Sequence, residues 1–128
     1  MVSKIPIMSD RVRRVPRQFS WVDHRLVRDR HIDHCSHPAA ALYLFLVTVS
    51  DAKGISYYAD ASIMRRLSMD PSTLQQAREN LVHAGLTAWK KPLYQVLSLD
   101  EEKTAKSEPV AQPLSLKQIF RETLGGAP

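Results

Sequence analysis

Apolar and polar positions alternate with three different rhythms along this chain, and each rhythm predicts an element. From Ala39 to Val49 nearly every position is apolar, the mark of a helix covered on all sides. Ser36 or His37 opens it, Pro38 stands at the first helical position where its missing N–H costs nothing, and Gly54 is the expected stop. Ile63, Met64 and Leu67 recur at helical spacing, with Asp60 as the expected cap. After a turn at Ser68–Asp70, Leu74, Ala77 and Leu81 form one stripe of a further helix that Asp70 caps, Pro71 starts and Gly85 ends. From Leu86 to Leu99 the period drops to two: Leu93, Gln95, Leu97 and Leu99 alternate with Tyr94, Val96 and Ser98. That is a hairpin folded at Lys91-Pro92. Phe19–Val22 and Ile55–Tyr58 read as short strands, Trp21 being large enough to anchor the first to the core.

The flanks differ in character. Residues 1–18 carry Arg11, Arg13, Arg14 and Arg17 between Pro6 and Pro16, with few apolar residues to fold them. They are expected to form a flexible basic arm, either lying along phosphates or simply solvated. Residues 19–99 hold the folded domain. Residues 100–113 are acidic and proline-bearing, a linker by composition. In 114–128, Ser115 and Gln118 make a capping box, Gly125 a stop, and Leu116, Ile119, Phe120 and Leu124 one apolar edge. A helix that short is marginal alone in water, so it must dock on its own domain or in a partner's groove.

The 128 residues leave room for one domain with a modest core. A net charge of +5 and a pI near 9.6 favour polyanionic partners without proving one. One cysteine, Cys35, excludes an internal disulfide framework and fits a reducing cytoplasm, the expected location. The first residues lack a basic start followed by an apolar block, so no signal peptide is expected. The apolar run from Pro38 to Val47 is far short of the ~20 residues a membrane span needs.

His24, His31, His34, Cys35 and His37 are residue types that bind zinc. Their spacing is compact, no second ligand pair follows, and adjacent His34 and Cys35 point apart on any regular element. The expectation is a histidine-rich surface segment with no metal. No phosphate loop, paired-carboxylate cluster or nucleophile–base spacing is present, so no catalytic residue and no cofactor is assigned.

Trp21 to Leu99 resembles the winged helix-turn-helix domains of bacterial, plasmid and phage DNA-binding proteins. Similar proteins include replication initiators, primosomal or replisome-organiser N-terminal domains and mobile-element regulators. The residues that carry the likeness are Ile63, Leu67 and Met69, then Thr73, Leu74, Ala77, Leu81, Ala84, Gly85 and Leu86. The resemblance implies an α+β, mainly α fold: a three-helix core with a short strand and a C-terminal hairpin wing. Three departures stand out. Ser68 replaces the family's turn glycine, the second helix lacks Arg or Lys near its start, and Arg78 occupies a commonly apolar position with its head expected to snorkel outward.

The function this implies is duplex DNA binding, in a regulator or a replication or mobile-element accessory factor. Gln75, Gln76 and Asn80 would face the major groove, beside Glu79 and His83. Ser72 and Thr73 would take a phosphate at the helix N-terminus, Lys90 and Lys91 would grip the backbone at the wing tip, and the arm arginines would add contacts. The alternative is a protein-interaction module that uses the C-terminal helix as its docking peptide. A homodimer through helix 38–50, with Leu42, Tyr43, Leu46 and Val49 as its face, is a further expectation.

Overall fold

The computed structural model describes residues 3–100; most of the expected linker and all of the C-terminal helix lie outside them. The architecture is α+β and mainly helical. Among the described residues the order is α1 (Arg25–Arg28), α2 (His37–Val49), β1 (Ile55–Tyr57), α3 (Asp60–Leu67), α4 (Pro71–His83), β2 (Thr87–Lys90) and β3 (Leu93–Val96). Single 3-10 turns add Ser9–Arg11 and His31–His34. No helix among these residues is long and apolar enough to cross a membrane.

Helix α2 is the centre. The Ser36 hydroxyl accepts from the Ala39 N–H at 3.2 Å, and Pro38 occupies the first turn. Ala39, Leu42 and Leu46 are fully buried, mostly by α4, which contributes Leu74, Ala77 and Leu81. Each such leucine contributes about 1.5–3 kcal/mol of burial. This corrects the expected self-association face: Leu42, Leu46 and Tyr43 belong to the intramolecular core, and the exposed apolar residue of α2 is Leu44.

Helix α2 ends at Val49 rather than near Gly54, with Ser50 extended as its C-cap. The Asp51 carboxylate then accepts from the Lys53 and Ile55 N–H groups at 2.9 and 3.0 Å, closing a turn. Gly54 sits in that turn at φ +83°, where a Cβ would lie 2.6 Å from the Val96 carbonyl oxygen. It is required by the approach of β3, not by the helix.

The sheet is antiparallel in the order β1-β3-β2. Ser56 pairs with Tyr94 and Tyr94 with Trp89, on the face that holds buried Ser56 and Tyr94. Tyr57, Leu93 and Lys90 form the next row, all exposed. The hairpin and its turn fall where the alternation puts them, and Tyr94 rather than Leu93 faces inward.

Phe19–Val22 forms no strand. Asp23 draws the chain into a helical turn instead, its carboxylate accepting from the Arg25 N–H at 2.9 Å and its carbonyl from the Leu26 N–H. Leu26 takes the core position, while Phe19 and Trp21 stay 62% and 73% exposed. The segment is tied to α2 by the Ser20 hydroxyl, which donates to the Thr48 carbonyl at 3.1 Å. Tyr43 forms part of the wall of two hollows: one of about 610 Å³ between residues 19–25, α2 and residues 96–100, and one of about 190 Å³ against α1.

Candidate nucleic-acid interface

Helices α3 and α4 are joined by Ser68–Asp70, and the hairpin follows α4 directly. Ser68 adopts φ 55°, ψ 50°, the left-handed conformation in which a side chain costs roughly 1 kcal/mol or more. Asp70 caps α4, accepting from the Thr73 N–H at 2.7 Å. That N–H, with the Thr73 hydroxyl, holds the Asp70 carboxyl below the usual carboxylate range. The cap changes the reading of this helix end. A carboxylate already satisfies the Thr73 N–H and disfavours a second anion beside it, so that N–H is not open to a phosphate in this arrangement.

The outward face of α4 presents Ser72, Gln75, Gln76, Glu79 and His83, all exposed. Two pairs stiffen it: Gln75 donates to Glu79 at 3.3 Å and Gln76 to Ser72 at 3.4 Å. Asn80 is the exception among the expected base readers. Its carboxamide accepts from the Ser36 N–H at 2.7 Å and donates to the His34 carbonyl at 2.8 Å. Both ends of the amide are thus used to hold the start of α2, and Asn80 leaves the candidate set.

Arg78 is a second correction. Instead of snorkelling, it is 8% exposed, and one nitrogen donates to Asp60 at 2.9 Å and to the Tyr94 hydroxyl at 2.7 Å. Burial works against its charge, but the hydrogen bonds to Asp60 and Tyr94 outweigh it and raise its pKa. Asp60 does not cap α3; the N-cap is Ala59, without a side-chain bond, because the Asp60 carboxylate is turned to Arg78. The node fastens the start of α3, α4 and the hairpin to one another.

The exposed basic groups lie on other elements. Lys90 and Lys91 are exposed at the hairpin tip, and Arg11, Arg13, Arg14 and Arg17 are exposed along the arm. Arg65 and Arg66, in the last turn of α3, are exposed too. Their signal in the sequence is two adjacent arginines ahead of the turn. In the histidine-rich segment, no three His, Cys, Asp or Glu side chains among the described residues come together as a metal site. No family model, curated protein or solved structure matches this chain.

Proposed function

We propose that this is a winged helix-turn-helix protein that binds duplex DNA. The observation that carries the reading is α4 itself: a capped helix, set by a tight turn after α3, whose outward face is polar and amide-rich and is followed at once by a hairpin tipped with two lysines. Gln75 and Gln76 read base edges in the major groove, where a carboxamide pairs bidentately with adenine. Lys90, Lys91, Arg65, Arg66 and the arm arginines supply the phosphate contacts. The capped, acidic start of α4 puts affinity in the basic flanks and selectivity in the helix.

Titration into random and genomic duplex DNA at several salt concentrations tests this. Log affinity falls linearly with log salt, and Lys90→Glu with Lys91→Glu makes that slope shallower by about two. Absence of binding at low salt overturns the reading. It then favours an assembly module, for which the exposed Trp21, Val27 and Leu44 are the supporting observation.

A further inference from the structure

Duplex contacts by α4 and the hairpin leave two large aromatic rings without a role. Phe19 and Trp21 stay out of the core, yet both line the hollow of about 610 Å³. Directly before them in the chain come Arg11, Arg13, Arg14 and Arg17, and every residue from Arg11 to Trp21 is exposed. Arginines leading into paired aromatics are the residue types that hold a phosphate backbone and stack its bases.

The two rings are held in place. Ser20, between them, donates its hydroxyl to the Thr48 carbonyl at 3.1 Å and so ties the segment to α2. Residues two apart have Cα atoms at most roughly 7 Å apart. Stacked bases lie roughly 3.4 Å from one another, so two rings at that spacing admit one flat base between them. A hollow of this volume falls within the range of about 300–1,000 Å³ that receives small organic groups.

The charges of the lining divide the work between base and phosphate. Asp23 and Asp100 are closed on Arg25 at 2.7 and 2.8 Å, and Asp51 accepts from the Lys53 and Ile55 N–H groups. These carboxylates keep phosphate out of the hollow, which offers ring faces and polar edges to an uncharged base. Phosphates fall to the arm arginines, Arg17 being only two residues from Phe19. In a duplex the base faces are closed against each other, so free faces on a polyanionic chain describe a single strand.

We propose that Phe19, Trp21 and this hollow bind single-stranded nucleic acid, the rings stacking on its bases while the arm arginines hold its phosphates. The site is separate from α4 and the hairpin tip, and stands whether or not those bind duplex.

The full-length chain is titrated at low salt with labelled thymidylate and uridylate oligomers of about twelve nucleotides, and affinity is read from anisotropy. Binding of either supports the proposal, and the tighter of the two identifies the strand type. Trp21→Leu and Phe19→Leu each weaken it about tenfold, and Trp21→Leu also abolishes the quenching of tryptophan fluorescence. Both rings are exposed, so unchanged melting temperatures accompany these losses. An abasic oligomer with the same number of phosphates binds about tenfold more weakly than the parent oligomer. Duplex affinity stays within about twofold in both variants, which keeps failure of this site distinct from failure of the duplex reading. No binding of either oligomer, parental affinity in the variants, or equal affinity for the abasic oligomer overturns the proposal. An equal loss on duplex overturns it too, because the rings then belong to the duplex contact.

Discussion

The Arg78 guanidinium carbon lies 4.0 Å from the centroid of the Trp89 ring, stacked against it. The same guanidinium bonds the Tyr94 hydroxyl, so one side chain of α4 grips both strands of the hairpin. A hairpin that stays fixed to the helix before it is what the proposed DNA contact, shared between the two, would require.

Arg78→Leu keeps the apolar stem, removes the ring contact and leaves the Tyr94 hydroxyl buried without its donor. It lowers stability by about 2 kcal/mol in chemical unfolding, while Tyr94→Phe lowers it by about 1 kcal/mol. The double variant loses less than the two combined, because both changes remove the same bond. Strict additivity would show that the bond contributes nothing.

Asn80→Ala separates structure from recognition. It leaves the Ser36 N–H and the His34 carbonyl without their partner and costs about 1–2 kcal/mol. DNA affinity, measured below the melting transition, stays within about twofold of the parent, whereas Gln76→Ala weakens binding and relaxes base preference. Equal losses from both would restore Asn80 to the interface.

Backbone strain gives predictions of opposite sign. Ser68→Gly relieves the left-handed φ of 55° and raises stability by about 1 kcal/mol, read as a higher melting temperature. Gly85→Ala, at φ +75° with open space around its Cβ, costs about 1 kcal/mol. Gly54→Ala costs about 2 kcal/mol or more, since the Val96 carbonyl must also move. Equal costs at the two glycines would mean that the close approach of β3 is soft.

Acid weakens the fold through Asp23. Side-chain hydrogen bonds from Arg25, then its backbone N–H, depress the Asp23 carboxyl from 3.8 to about 2. A depressed carboxyl stabilises the folded state above its unfolded value and loses that contribution as pH falls from about 4 to about 2. The melting temperature therefore drops through this interval, and Asp23→Asn flattens the drop. An identical pH profile for the variant would remove Asp23 from the account.

What was legible in the sequence is what neighbouring residues decide. Asp70-Pro71 starts α4, Ser36 and Pro38 start α2, and the period of two places the hairpin. Most of the misread positions answer to distant partners. Asp60 is drawn from its capping role by Arg78, 18 residues on, and Asn80 is bound to groups 44 and 46 residues away. Gly54 answers to Val96, and Trp21 is displaced from the core because Leu26 fills it. Hydrophobic periodicity carries no trace of such pairings. The helix start at Asp70 is legible in the sequence, but the occupation of the Thr73 N–H by its carboxylate shows only in the folded structure.

Tyr43, 8% exposed, is shared by the hollow of about 610 Å³ and the one of about 190 Å³. It works as a partition: the larger chamber mixes the charged Arg25, Lys53 and Asp100 with apolar walls, and the smaller one is lined by apolar side chains. Trimming this one ring to a methyl group would merge the two into a single cleft running from Lys53 to Cys35. One phenol thus stands between the charged groups of the larger hollow and the apolar lining of the smaller.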